Sequence, residues 1–171
     1  MKDSASSEHG DDRSTPKPTI YLAGPVQHAD DHGVGWRETV EDNVSSFHTA
    51  NPLDKYNIPV EDLTIVRGDA DASGDNEIHA RTIIKNDKRL IREADGILVG
   101  FEDVQMCGTP MEVCWCDEVF PEKPIVVWIR DDTDRDELSP WWEHADAFED
   151  NLPSAIYELR ERVEEVFYRH D

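Results

Sequence analysis

Residues 96–101 read GILVGF and residues 124–129 read PIVVWI, two apolar runs without alternating polar positions. Runs of this kind are typical of parallel strands whose two faces are both covered by helices. A third short run, TIYLA at 19–23, is rich in β-forming residues and ends at the turn-forming pair Gly24-Pro25. We therefore predict three strands of a buried parallel sheet.

Helical patterns separate these strands. Trp36 opens an apolar stripe that continues four, eight and eleven positions further along the chain. Helices are also predicted over about 77–93 and 109–119, and a further strand near 48–51. The stripe of the last predicted helix consists of Ile156, Leu159, Val163, Val166 and Phe167. This alternation predicts a doubly wound α/β fold of the Rossmann or flavodoxin type, with four to five mostly parallel strands and helices on both faces.

The chain reads as one domain with a polar leader. Residues 1–17 contain almost no apolar side chains, so we expect them to be disordered. Residues 18–171 form the predicted α/β domain. Within it, residues 58–76 are acidic and show no sustained period, which indicates a long loop or a lid over the surface.

The composition excludes several functions. The chain has 171 residues, 17 Lys and Arg against 39 Asp and Glu, and a net charge of -22. No apolar run approaches the roughly 18 residues of a membrane span. A negative field repels phosphate backbones and anionic lipid surfaces, and no cluster of Lys and Arg stands out in the sequence. We therefore expect neither nucleic acid nor a membrane as a partner.

The same composition bears on the cell of origin. Five Trp, four Tyr and five Phe indicate a folded core, so the acidic residues belong to the surface. A carboxylate-rich surface of this kind resembles the cytosolic proteins of salt-loving archaea, because molar salt screens the self-repulsion. A mesophilic acidic protein is the alternative.

Three cysteines lie close together, at Cys107, Cys114 and Cys116. An odd number without a signal peptide gives no disulfide framework, so we expect free, buried or half-buried thiols and a cytoplasmic protein. Zinc is the alternative, but the spacing fits no common structural site. We expect no metal.

Open α/β sheets bind ligands beyond the carboxyl ends of their strands, which directs attention to the loop after Tyr21 and to residues 101–112 and 130–142. Glu112 stands in the second of these loops, within TPME at 109–112. One interpretation is a capping box that begins at Thr109. The other is a carboxylate that the helix dipole keeps ionised and that attacks an electrophilic carbon.

Asp87 interrupts the apolar stripe of the helix predicted over 77–93. A carboxylate at a core-facing position needs a reason. Either the helix breaks near Asn86 and Asp87 caps the second part, or Asp87 faces the ligand crevice as an acid whose pKa is raised by apolar neighbours.

Several common enzyme motifs are missing from the sequence. Neither G-x-G-x-x-G nor G-x-x-x-x-G-K-[ST] occurs, so dinucleotide and ATP chemistry is disfavoured and we expect no cofactor. Ser139 precedes Pro140 rather than a nucleophile elbow. Carboxylates remain as the reactive groups.

Four short motifs in order resemble the nucleoside 2-deoxyribosyltransferase family, over residues 19 to about 145. They are YLAGP at 21–25, Asp87 eight residues before Asp95, GTPME at 108–112 and KPIV at 123–126. The resemblance implies cleavage of the N-glycosidic bond of a 2'-deoxynucleoside or its 5'-monophosphate, through a covalent deoxyribosyl-carboxylate intermediate. It also implies a homodimer or higher homo-oligomer whose active sites are shared between subunits.

Carried over residue by residue, the resemblance implies that Glu112 attacks C1', that Tyr21 positions this carboxylate, and that Asp87 protonates or holds the departing base. A carboxylate and a proton donor are the groups that retaining glycosidases also use. The candidate substrate contacts are Gly24, Pro25, Asp103, Gly108, Thr109 and Ser139.

The chain departs from the family pattern in places. Asp103 is the candidate reader of the base, but it stands nine residues before Glu112, further than the family pattern suggests. In the related deoxynucleoside 5'-monophosphate N-glycosidases a Ser from a neighbouring subunit contacts the phosphate, and Ser139 stands near that place. Their first loop carries Ser and Arg where this chain has Pro25 and Gln27.

Other conspicuous residues carry weaker expectations. We expect Trp141 and Trp142 at an interface or rim rather than stacked on a base, and Trp36 in the core. Arg37 is expected at the surface or facing a ligand. His28 and His32 stand in the first loop, where they could meet substrate, although polar histidines in loops usually have no particular role.

The primary expectation is thus a deoxyribosyltransferase that passes the sugar to another nucleobase. The alternative within the same chemistry is the 5'-monophosphate N-glycosidase, in which water takes the place of the second base. The alternative from another class is a non-catalytic nucleotide-sensing module on the same fold.

Overall fold

The computed structural model describes residues 16–167. The expected disordered leader therefore lies outside the described residues, apart from residues 16 and 17.

Five strands form one parallel sheet. They are β1 (Thr19–Ala23), β2 (His48–Ala50), β5 (Gly96–Phe101), β6 (Ile125–Ile129) and β7 (Ala147–Glu149), and their order is β2-β1-β5-β6-β7. Two further strands, β3 (Thr64–Val66) and β4 (Glu77–His79), pair in parallel as a separate small sheet. The doubly wound parallel sheet expected from the apolar runs is confirmed, with β7 as an additional edge strand.

Four α-helices accompany the sheet: α1 (Val34–Asn43), α2 (Ala80–Glu93), α3 (Gly108–Val119) and α4 (Leu152–Phe167). Short 3-10 turns occur at Val60–Asp62, Arg135–Glu137 and Pro140–His144. α2 begins three residues later than predicted, because 77–79 pairs with β3 as a strand. Within residues 16–167, no helix has both the length and the apolarity needed to cross a bilayer.

The helices cover both faces of the sheet, as expected. On one face, side chains such as Tyr21, Ile97 and Val99 pack with α2 and α3 in one buried cluster. On the other face, Ile20 and Leu98 pack with α1 and α4 in a second cluster. Because successive strand residues point to opposite faces, the continuous apolar runs supply both clusters.

Trp36 joins α1 to the sheet. A Cβ added at Gly24 or at Gly100 would lie only 2.8 or 2.6 Å from the indole ring, so glycine is required for this close approach. The indole also packs edge-on against Trp128, with 6.4 Å between ring centroids. The expected core position of Trp36 is confirmed, and it holds the end of β1 close to β5.

The acidic segment 58–76 is largely irregular, as expected for a long loop, but it also contains short regular elements. It contains the turn at Val60–Asp62 and strand β3, whose backbone pairs with β4 just beyond the segment. Three-residue strands are too short to show a periodic pattern in sequence. This small sheet stands beside the carboxyl end of the main sheet and lines part of the cavity described next.

Candidate functional site

A cavity of about 670 Å³ opens at the carboxyl ends of β1 and β5. Counting only the main sheet, the strand order is 2-1-3-4-5, so the order reverses between these two neighbouring strands. This switch point is where open α/β sheets form their ligand crevice. The lining comes from the loop after β1, from residues 105–109 before and within α3, from α2, and from β3.

A tyrosine and a glutamate meet at the base of the cavity. The Tyr21 hydroxyl donates a 2.9 Å hydrogen bond to Oε1 of Glu112. Tyr21 is completely buried in β1, whereas Glu112 is half-buried on α3. The two residues stand 91 positions apart in the chain, and the sheet brings them together.

The capping-box interpretation of Glu112 is wrong. α3 begins at Gly108 after Cys107, whose side chain makes no capping hydrogen bond, and Thr109 is already inside the helix and buried. Glu112 therefore belongs to the second turn. Its carboxylate accepts from Tyr21 rather than from the helix N-terminus.

Burial dominates the electrostatics of Glu112. It raises the pKa of the carboxyl to about 7, and the nearby charge of Asp87 acts in the same direction. The hydrogen bond from Tyr21 and the charges of Arg37 and Lys55 oppose this rise. The expectation that the helix dipole holds Glu112 ionised is corrected, because the dipole acts mainly within the first turn. Near neutral pH the carboxyl exists in both protonation states.

Asp87 faces the same cavity from an unbroken helix. α2 runs continuously over Ala80–Glu93, so the proposed break near Asn86 is wrong. Asp87 does not cap a helix but forms a salt bridge, in which Lys55 Nζ lies 2.6 Å from Oδ1 of Asp87. As expected, burial raises the pKa of Asp87, although the Lys55 ammonium opposes the rise.

The cavity tyrosines remain protonated at neutral pH. Burial raises the pKa of Tyr21 well above its usual value near 10, and the charge of Glu112 adds to this effect. Burial also raises the pKa of Tyr56 to about 12. Both hydroxyls can therefore donate hydrogen bonds throughout the physiological range.

Arg37 is buried beneath the first loop, so the expected surface position is wrong, but it is among the residues that line the cavity, as the ligand-facing alternative predicted. Its guanidinium donates to the backbone carbonyls of Leu22 (3.2 Å), Gly33 (2.6 Å) and Gly24 (3.0 Å). Burial lowers the pKa of Arg37 to about 10. Arg37 thereby ties the end of β1 to the start of α1 and shapes the cavity wall.

Four of the predicted substrate contacts line the cavity: Gly24, Pro25, Gly108 and Thr109. Asp103 and Ser139 are exposed and are not among the lining residues. The backbone N–H of Asp103 donates to the Asp131 carboxylate at 2.6 Å. The resemblance assigns Ser139 to the active site of a neighbouring subunit. Its distance from the cavity of its own chain therefore does not test that role, which stays a prediction.

The structure adds cavity residues that the sequence did not indicate. These are Lys55, Tyr56 and Arg67. His28 and His32 also line the cavity, at the first-loop positions from which the sequence allowed them to meet substrate. Lys55 and Tyr56 stand in an irregular segment after β2, where no period or motif marks them. Sequence alone offered no signal for the contact between Lys55 and Asp87.

The two neighbouring tryptophans differ. Trp142 is buried in the core, with its ring 5.3 Å from that of Phe101, so the expected interface or rim position is wrong for this residue. Trp141 is 63% exposed and stacks on His144 at 5.9 Å. A 3-10 turn over Pro140–His144 points adjacent side chains to opposite environments.

The thiols also differ in exposure. Cys116 is buried and Cys114 is half-buried, as expected, but Cys107 is exposed and lines the cavity. Among residues 16–167, no group of three His, Cys, Asp or Glu side chains is arranged to hold a metal ion.

A basic strip runs along the outer face of α2, contrary to the expectation that no Lys/Arg patch stands out. It surrounds a shallow second depression of about 490 Å³. Its basic members are Arg81, Lys85, Lys88, Arg89 and Arg92. Helical spacing of three and four residues gathers bases that are scattered among other residue types in the sequence.

The fold and the cavity define an α/β protein with a ligand-sized crevice at the switch point of its sheet, and with two carboxylates and a tyrosine inside it. In comparisons with known proteins, no family model and no curated protein matches this chain.

Proposed function

We propose that the chain is a nucleoside 2-deoxyribosyltransferase-like enzyme. It cleaves the N-glycosidic bond of a 2'-deoxynucleoside, holds the sugar on Glu112 and transfers it to another nucleobase. The observation that carries the proposal is the 2.9 Å hydrogen bond from Tyr21 to Glu112 in a crevice that Asp87 also lines. This set supplies a nucleophile, a group that orients it and a second carboxylate for the base.

In the first half-reaction, the ionised carboxylate of Glu112 attacks C1' on the face opposite the base. The C1'–N bond breaks, its electron pair moves to the base, and a proton supplied at Asp87 neutralises the base. In the second half-reaction, a nitrogen of the incoming base attacks C1' and releases Glu112, and its proton returns to Asp87. Two inversions at C1' retain the configuration of the nucleoside.

The environment of Glu112 suits a nucleophile that must also leave. A carboxylate that burial partly removes from water is more reactive than one in bulk water, and its pKa of about 7 keeps a large ionised fraction at neutral pH. The buried Tyr21 hydroxyl stays protonated and stabilises the carboxylate both before attack and when it departs.

A specific observation favours the 5'-monophosphate N-glycosidase as a second candidate. The cavity lining contains Arg67, whose guanidinium makes no ion pair with any described residue. The cavity lining contains three carboxylates, Glu61, Asp87 and Glu112, and three Lys or Arg side chains. In the whole chain, by contrast, Asp and Glu strongly outnumber Lys and Arg. A cavity without the general acidic excess accommodates a phosphate more readily.

Chromatography of reaction mixtures in molar salt tests the proposal. Deoxynucleosides and their 5'-monophosphates are each incubated with and without a different free base. A new nucleoside that forms only with the added base supports transfer. Free base released from the monophosphate without exchange supports the N-glycosidase.

Two variants on α3 complete the test. Glu112→Ala is expected to abolish both reactions, whereas Glu118→Gln, which changes an exposed carboxylate on the same helix, is expected to retain them. Undiminished turnover by Glu112→Ala contradicts the proposed chemistry. Nucleotide binding without any base release would favour the non-catalytic sensing module.

A further inference from the structure

Lys55 and Asp87 form a close ion pair inside the cavity. The Lys55 ammonium lies 2.6 Å from Oδ1 of Asp87, and the two side chains are only 18% and 14% exposed. Lys55 follows β2, whereas Asp87 lies in the middle of α2, and both line the cavity. The Lys55 ammonium also lies 5.1 Å from the ring centroid of Tyr56, which further orients it.

The contact with Lys55 affects the ability of Asp87 to donate a proton. A departing nucleobase needs a proton, but a carboxylate in contact with an ammonium group is stabilised in its ionised form. Burial favours the protonated form of Asp87 and the ammonium opposes it, and a proton that can replenish this carboxyl lies on Lys55, 2.6 Å away. The groups that face or influence Asp87 are Lys55, Tyr56, Tyr21, Glu112 and Arg37.

Of these groups, Lys55 is the suitable proton source. The two tyrosines hold their protons tightly because they are buried. Arg37 donates to three backbone carbonyls and keeps its charge. Glu112 is the proposed nucleophile and reacts in its ionised form.

We propose that Lys55 and Asp87 act as one proton-donating pair, in which Lys55 is the source of the proton that the departing nucleobase receives. The inference rests on the proposed function and deepens it. As the C1'–N bond breaks, the base takes the electron pair and a proton from the Asp87 carboxyl, and this carboxyl takes a proton from Lys55 Nζ. Asp87 ends the step ionised and Lys55 ends it as a neutral amine.

The second half-reaction restores the pair. The incoming base loses its proton as it attacks C1', and this proton passes through Asp87 back to Lys55. In transfer between two bases the cycle therefore consumes no proton. If water resolves the intermediate instead, the proton released by water restores Lys55.

The test compares two leaving groups. The base of 2'-deoxyguanosine needs a proton to leave as a neutral molecule, whereas the base of 7-methyl-2'-deoxyguanosine already carries a positive charge and leaves neutral without one. Loss of general acid catalysis costs on the order of 100-fold or more. We expect Lys55→Met to lose about this factor in kcat/KM on 2'-deoxyguanosine and less than about tenfold on the methylated substrate.

Two further variants separate proton donation from positioning. Lys55→Arg keeps a cation beside Asp87 but does not release its proton, so we expect it to remain as defective as Lys55→Met on 2'-deoxyguanosine. Lys85→Met removes an exposed lysine from the outer face of α2 and is expected to match the wild type on both substrates.

The possible outcomes distinguish proton donation by Lys55 from its alternatives. An equal loss on both substrates would assign Lys55 a structural role, and full activity of Lys55→Arg would make it a positioning cation only. Unchanged activity of Lys55→Met would exclude any part in the reaction. By contrast, the absence of base release from the wild type with every nucleoside and monophosphate would overturn the proposed function itself.

Discussion

Replacing Tyr21 by phenylalanine removes the hydroxyl that donates a 2.9 Å hydrogen bond to Glu112 and leaves the buried ring in place. A hydrogen bond to a charged group contributes about 1.5–3 kcal/mol. Since one pKa unit corresponds to about 1.4 kcal/mol, the variant should raise the pKa of Glu112 by about one to two units. The starting value is about 7.

The rate of sugar transfer to Glu112 should follow the ionised fraction of this carboxyl. At pH 6 we therefore expect Tyr21→Phe to release base about ten- to a hundredfold more slowly than the wild type, and the difference to shrink above pH 9. Single-turnover measurements from pH 5.5 to 10 give the two profiles.

Tyr157→Phe, which removes an exposed hydroxyl on α4, is the matched control and should leave the profile unchanged. An unchanged or lower midpoint for Tyr21→Phe would refute the assigned hydrogen bond, because loss of a donor to the ionised form can only raise the pKa.

Three further predictions concern stability. Burial raises the folded-state pKa of Glu112 from 4.5 to about 7, so the wild type loses stability as the pH rises through this window. Urea unfolding in molar salt should show Glu112→Gln gaining about 3 kcal/mol relative to the wild type between pH 4.5 and 8, and a constant difference would contradict this. Arg37→Leu should lower the free energy of unfolding by about 3 kcal/mol or more, because three backbone carbonyls, two of them in buried hydrogen bonds, lose their charged donor, and a loss below about 1 kcal/mol would be inconsistent with these contacts. Gly100→Ala should cost about 1–3 kcal/mol through its clash with Trp36, whereas Gly108→Ala, which meets no atom within 4 Å, should be nearly neutral; equal effects would refute the packing argument.

The main features of the fold could be predicted from the apolar runs. Residues 96–101 form a strand with the predicted limits, and its side chains are buried on both faces, because no polar position interrupts the run. The edge strand β7 and the small sheet gave no such signal: β7 has three half-buried residues, and β3 and β4 are equally short. Such short elements are stabilised by pairing with neighbours rather than by their own pattern.

The site could be predicted in part. The crevice rule selected the loop after Tyr21 and the segment 101–112 that ends at Glu112, and the structure places Tyr21 and Glu112 at the cavity. It could not show that Lys55 reaches Asp87 across 32 positions, since a long-range ion pair leaves no local pattern. The sequence did not predict the burial of Arg37 for a related reason. The partners of Arg37 are backbone carbonyls, which every residue carries, so no side chain in the sequence marks them.

The central claim is that Glu112 carries the sugar between the two half-reactions. The most direct measurement is mass spectrometry of peptides from enzyme that is acid-quenched during turnover of a deoxynucleoside or its 5'-monophosphate. We expect the peptide containing Glu112 to gain the mass of one deoxyribosyl group, or of its phosphate, and the same peptide of Glu112→Gln to gain none. Base release by the wild type without any adduct on this peptide, or with an adduct on another residue, would contradict it.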